Sequence, residues 1–198
     1  MGREVGLHFL HAHELKSVSW RNGGGITNEI AIHSDLLIHP DFLWRLSIAT
    51  VDKPGPFSLF EGVDRTIAVI EGEGIVISDA LDSHSLTRTS APYTFAGEKQ
   101  IRSSMIAGRT SDLNAMTRRS CFVHSMERLV LRQSFVLETK GDKTFIVFND
   151  EIIVKTEAFQ YFCKRFDVLC EVPEGEIVEL IPEHQAEVLI VSISGVRA

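Results

Sequence analysis

Ile26-Thr27-Asn28-Glu29-Ile30-Ala31-Ile32-His33 alternates with a period of two: Ile26, Asn28, Ile30 and Ile32 point one way, and Thr27, Glu29 and Ala31 the other. That is the pattern of a strand. Trp44-Arg45-Leu46-Ser47-Ile48-Ala49-Thr50 repeats it, with Trp44, Leu46 and Ile48 on one face and Arg45, Ser47 and Ala49 on the other. Outward from these two stretches, the pattern predicts strands over 66–70, 74–78, 93–95, 103–107, 129–138, 144–148, 151–156, 167–171, 176–181 and 186–194. Gly, Pro, Asp and Ser clusters separate them. Thr139-Lys140-Gly141-Asp142 predicts a hairpin between 129–138 and 144–148. Residues 110–119 read as a short helix, because Ser111 or Asp112 can cap it and no β-branched run follows until Val123. The aromatic-rich stretch 158–165 fits either class. Short strands at this spacing predict an all-β barrel or sandwich, in two halves without a linker, approximately 1–120 and 121–198.

The chain has 198 residues, 44% hydrophobic and 24% charged, which excludes disordered and fibrous classes and allows one body with a substantial core. The net charge is -7 from 27 acidic and 20 basic residues, with no basic block longer than Arg118-Arg119, so no nucleic-acid partner is expected. No apolar run approaches the ~20 residues of a membrane helix, so no membrane partner is expected either. Three cysteines without CxxC spacing, and no signal-peptide pattern ahead of them, predict a reduced cytoplasmic chain.

Polar residues on strand faces mark the candidate site. Thr27 and Glu29 share one face, as do Arg45 and Ser47, and an inward polar face requires mutual pairing, water or a ligand. Gly23-Gly24-Gly25 follows Trp20 and Asn22 and invites positive φ or a close backbone approach. Gly55-Pro56-Phe57-Ser58 forms a rigid loop, and Arg65 opens an apolar strand. Arg65 is read either as a planar anchor for a carboxylate ligand or as an internal partner of Asp64 or Glu61. Asp112 and Asn114 read as caps or as site residues. The two arginines are expected to hold Glu29 and Asp112 ionised with lowered pKa, a poor setting for a general base.

No histidine stands between His39 and His84, so no metal centre and no cofactor is expected in the first half. His11 and His13, two apart on a strand, would point to opposite faces. GxSxG, P-loop and GxGxxG motifs are absent, and Cys121 reads as a small hydrophobe rather than a nucleophile.

The joint pattern W-R-N-G-G-G-x-T-x-E (20–29), W-R-L-S-x-A (44–49), G-P-F-S-x-F-x-G-x-D-R (55–65), F-A-G (95–97) and D-L-N-A-M-T-R-R (112–119) resembles the HutD/Ves family. The match covers residues 18–119, about half the chain. One departure is Arg21, where the motif commonly carries Lys. The resemblance implies a bicupin, two jelly-roll (RmlC-like cupin) barrels in one chain, with the family motifs in the N-terminal barrel. It also implies a regulatory role beside histidine utilisation, with the HutD branch binding a small carboxylate metabolite such as formylglutamate, or a stress response in the Ves branch. The expected ligand site is Trp20, Asn22, Gly23, Gly24, Thr27, Glu29, Arg45, Ser47, Phe57, Ser58, Arg65, Asp112 and Asn114, without catalysis. The competing reading is a metal-free cupin isomerase or lyase with Glu29 or Asp112 as general base. A homodimer is compatible with either.

Overall fold

The computed structural model describes residues 7–20 and 23–197. In chain order the strands are β1 (His8–Leu10), β2 (Lys16–Ser19), β3 (Gly25–His33), β4 (Trp44–Val51), β5 (Gly55–Pro56), β6 (Val63–Glu71), β7 (Ile75–Ser78), β8 (Ser83–Leu86), β9 (Tyr93–Ala96) and β10 (Arg102–Met105). They continue with β11 (Thr110–Arg118), β12 (Phe122–Leu131), β13 (Phe135–Glu138), β14 (Lys143–Phe148), β15 (Ile152–Lys155), β16 (Gln160–Cys163), β17 (Val168–Val172), β18 (Ile177–Ile181) and β19 (Ala186–Gly195). A single 3-10 turn, Ala12–Glu14, is the one helical element among the described residues. The fold is all-β and its ladders are antiparallel.

The chain divides into two compact units, one of residues 15–124 with 195–198 and one of residues 1–14 with 125–194. The first contains a six-stranded sheet, β2-β3-β4-β11-β6-β9, and a four-stranded sheet, β5-β10-β7-β8. Ile67 and Val69 of the larger sheet pack with Ile75, Ile77 and Leu86 of the smaller, so the core lies between the two. The second unit has a five-stranded sheet, β1-β17-β14-β19-β12, and a four-stranded sheet, β13-β18-β15-β16. Ile146, Phe148 and Val188 of one sheet meet Val154, Val178 and Leu180 of the other. Each core follows from period-two alternation, which delivers every second side chain to the same apolar layer.

Four sequence expectations are corrected. Residues 110–119 are not helical: β11 is an interior strand, bonded to β4 on one side and β6 on the other. Thr110 through Thr117 are all buried, and backbone pairing on both edges overrides the local capping signals of Ser111, Asp112 and Asn114. Residues 129–138 are not one strand, for the chain breaks at 132–134 between β12 and β13. The turn at 139–142 is real, with Gly141 at φ 78, but it joins no hairpin. β13 pairs with β18, while β14 pairs with β17 and β19 of the other sheet. Finally, His11 and His13 do not diverge, because the 3-10 turn stacks their rings with centroids 5.6 Å apart.

The ambiguous 158–165 stretch contains an edge strand, β16. The start of the chain groups with its C-terminal half rather than with 15–124, since β1 pairs with β17, His8 opposite Cys170. His11 Nδ1 lies 3.5 Å from Asp167 Oδ2 in the same unit, and the Ala12 amide donates to Asp167 Oδ1.

Candidate functional site

Four strands of the six-stranded sheet build the site floor, and their register shows which side chains meet. Thr27, Ala49, Asp112 and Val69 form one row across β3-β4-β11-β6; Glu29, Ser47, Asn114 and Ile67 form the next. Arg45, Met116 and Arg65 make a third, which Phe95 of β9 extends. Rows two residues apart point to the same face, so polar groups from four strands converge although Thr27 and Asn114 stand 87 positions apart in sequence. A bulge in β3 between Glu29 and Ala31 shifts the register there.

Above this face lies a cavity of about 460 Å³. Its lining includes Trp20, Thr27, Arg45, Ser47, Phe57, Ser58, Arg65, Asp112 and Asn114 from the expected set. Glu29 does not line it but stands behind Arg45, with Oε2 3.3 Å from Nε, close enough for an ion pair yet without hydrogen-bond alignment. Gly23 and Gly24 fall outside the lining. Gly23 adopts φ 63 and its amide donates to the Trp20 carbonyl, while the Gly24 carbonyl accepts from the Asp52 and Lys53 amides. They shape the turn that carries Trp20. Asn22 and Arg21 lie outside the described residues.

The sequence reading missed Val18, Ser19, Ala49, Val51, Pro56, Phe60 and Met116 in the lining. Ala49 and Val51 continue the Arg45/Ser47 alternation, and Met116 continues Asp112/Asn114 once β11 is recognised as a strand. Val18 and Ser19 sit on an edge strand with no periodic signal.

Gly25 lets the indole of Trp20 settle over one end of the cavity. A Cβ at residue 25 would collide with the Thr50 carbonyl and come within 3.1 Å of the Trp20 ring. The indole Nε1 donates to Thr27 Oγ1 at 2.7 Å, fixing the ring orientation.

Arg65 is only 6% exposed. Its guanidinium lies 5.1 Å from the ring centroids of Phe57 and Phe95 and 5.6 Å from that of Phe60. Three aromatic faces stabilise the cation where water is scarce. Nη1 donates to the Ser58 carbonyl at 3.3 Å, and Nε has no hydrogen-bond partner among the described residues. The alternative of an internal ion pair is not seen: Asp64 is bound by Arg119 at 2.7 Å, and among the described residues Arg65 forms no ion pair with Asp64 or Glu61. Burial, against the attraction of Asp112, lowers the Arg65 pKa to about 10, so the group stays charged at neutral pH.

Asp112 is 2% exposed, and no protein donor among the described residues hydrogen-bonds its carboxyl. Burial pushes its pKa up to about 7, and the opposing pull of Arg65 does not offset it. This corrects the expectation that neighbouring arginines keep Asp112 ionised with a lowered pKa; desolvation outweighs a guanidinium that is not in contact.

Asn114 Oδ1 is likewise buried without a hydrogen-bond partner among the described residues. The lining thus offers two guanidiniums, hydroxyls from Ser19, Thr27, Ser47 and Ser58, an amide, and one carboxyl with no histidine or cysteine beside it among the described residues. Guanidiniums repel a cation and match an anion.

Comparison with known proteins agrees with this architecture. The chain is 32% identical over 168 residues to Protein Ves of Citrobacter koseri, covering 80% of this chain and 85% of that one. A conserved protein of unknown function from Pseudomonas aeruginosa superposes with a TM-score of 0.84 at 25% identity, over 95% of this chain and 98% of that one. HutD from Pseudomonas fluorescens, crystallised in a formate condition, superposes with a TM-score of 0.80 at 22% identity, over 96% and 100% of the two chains. Residues 12–186 match the HutD family, and the chain therefore belongs to it.

Proposed function

We propose that this chain binds a small carboxylate metabolite in the cavity over β3, β4, β11 and β6, and acts by sensing or sequestering it. The observation that carries this reading is the pair of guanidiniums, Arg45 and Arg65, that enter one cavity with their Nε atoms buried and free of hydrogen-bond partners among the described residues. A buried donor without an acceptor is costly, and a carboxylate supplies two acceptors in the plane a guanidinium presents. Ser47, Thr27 and Asn114 orient the anion, and the Trp20 indole and Phe57 ring cover its apolar part. The HutD name points to histidine utilisation as the setting, with formylglutamate-like compounds as candidates. In this reading each unit is a cupin-type jelly-roll barrel, and the ligand barrel is the N-terminal one.

A thermal-shift screen of histidine-degradation intermediates and related mono- and dicarboxylates, followed by calorimetry, tests it. Stabilisation without turnover is expected, and loss of binding in Arg45→Ala and Arg65→Ala. No stabilisation by any compound, or undiminished affinity in both variants, overturns the reading.

One observation favours a second reading. A cavity carboxyl with a pKa near 7 is suited to general acid–base work, so Asp112 is the residue through which a metal-free isomerase or lyase would act. Product formed from a pathway compound by the wild type, and abolished in Asp112→Asn, would select it.

A further inference from the structure

The cavity contains an acid as well as bases, and the two arginines account for only part of its charge. Asp112 enters from β11, between Arg45-bearing β4 and Arg65-bearing β6. The charged groups facing it among the described residues are Arg65 of β6 and Arg45 of β4; Glu29 of β3 is drawn off to Arg45. The loop from Pro56 to Phe60 brings rings and the Ser58 hydroxyl, with no titratable group. An ionised carboxylate in a buried site is ordinarily held by two or three donated hydrogen bonds. Asp112 has none from the protein among the described residues, and no ion pair at contact distance to either arginine.

Resting on the carboxylate-binding reading above, we infer that the anion enters this site together with one proton from solvent, and that the proton resides on Asp112. In the empty site Arg65 offsets part of the cost of an ionised Asp112 across the cavity. A second carboxylate beside them adds like charge at short range in a water-poor space, where repulsion is only weakly screened. Protonation removes that charge and turns the Asp112 carboxyl into a donor, O–H to the ligand carboxylate, a short charge-assisted bond. The balance is one anion and one proton bound, with no covalent change. Burial already raises the Asp112 pKa to about 7, so the proton is available at neutral pH and the linkage falls where it can respond to physiological pH. The site thereby binds anions best below about pH 7 and releases them as pH rises, whereas arginines alone would bind them across the neutral range.

The test uses the full chain with acetate, ionised throughout the range, and glutarate as a second probe. Calorimetry at pH 8 in two buffers of different ionisation enthalpy is expected to show uptake of close to one proton per anion, falling toward zero at pH 6. The dissociation constant should rise about tenfold per pH unit above 7, the slope of a one-proton linkage. Asp112→Asn should bind at pH 8 about as it does at pH 6, with no proton uptake. Binding with no uptake at pH 8, or a wild-type pH slope in Asp112→Asn, overturns this inference and leaves the carboxylate reading standing. Absence of binding by either probe at pH 6 overturns both. Should the variant fail to fold, the two-buffer measurement on the wild type decides alone.

Discussion

Arg65 and Asp112 share one cavity, both almost fully buried, without making an ion pair or a hydrogen bond to one another. A contact pair would neutralise both groups and close the site. Held apart, the cation keeps its affinity for a further anion and the acid retains a proton near neutrality, so the separation conditions the site for a charged guest.

Arg65→Ala and Arg45→Ala are each expected to weaken binding of the most stabilising carboxylate by ~1.5–3 kcal/mol, the cost of losing a charge-assisted hydrogen bond. Arg65→Lys should not restore it, since an ammonium lacks the planar fork and the fit among Phe57, Phe60 and Phe95. Calorimetry beside thermal melts separates lost affinity from lost stability. Full rescue by lysine would show that the charge alone matters.

The pH dependence of stability should carry the signature of Asp112. Its folded-state pKa of about 7 lies above the ordinary carboxyl value of 3.8, so the folded chain holds a proton that the unfolded chain has released between those values. Asp112 therefore costs nothing below about pH 4, and its destabilisation grows from pH 4 to pH 7 and then levels off. Asp112→Asn should raise stability by ~2–4 kcal/mol at pH 8 and leave it nearly unchanged at pH 4, as read by urea denaturation. Equal effects at both pH values would contradict a raised carboxyl.

His124 should titrate below the free imidazole value of 6.5. Burial disfavours its charged form, with a smaller opposing pull from Asp64. Its Nδ1 pairs with Thr117 Oγ1 at 2.7 Å and its Nε2 with Thr66 Oγ1 at 2.8 Å, and a neutral ring serves one as donor and one as acceptor. The stability this arrangement confers is full above about pH 6.5 and is lost as pH falls below it. A ring-proton NMR titration with a midpoint at or above 6.5 would refute the assignment.

Gly25→Ala should both destabilise the chain and weaken carboxylate binding, because the new methyl meets the Thr50 carbonyl and pushes the Trp20 ring from its seat. The expected loss is ~1–3 kcal/mol of stability, the range for an overpacked site. Unchanged melting and affinity would show that the strand accommodates a side chain there.

Legibility in the sequence followed burial geometry. β3 and β4 were readable because aliphatic and polar side chains alternate along them, even though β4 is buried on both faces. β11 was not, because it is buried on both faces and carries Ser111, Asp112 and Asn114 where a core strand ordinarily carries aliphatics. Those polar residues face a cavity or pair with neighbours, which no local window reveals. The false hairpin at 139–142 has a similar origin: turn chemistry was present, but strand partners are chosen by long-range pairing. Much of the cavity lining was readable from same-face polar pairs and the family motif together. The acidity of Asp112 was not, since it depends on how completely three dimensions exclude water from one carboxyl.

The pairing of β1 with β17 has a consequence for biosynthesis. The docking of Ala12 onto Asp167 spans 155 residues, so β1 must wait, unpaired, until the residues through β17 have left the ribosome. Contacts of such sequence separation carry a heavy loop-closure cost and form late. Until they form, β17 has an open edge on the side β1 will cover, and the unit of residues 125–194 lacks one border of its five-stranded sheet. The open edge of β17 is thus where another chain's strand can pair until β1 covers it.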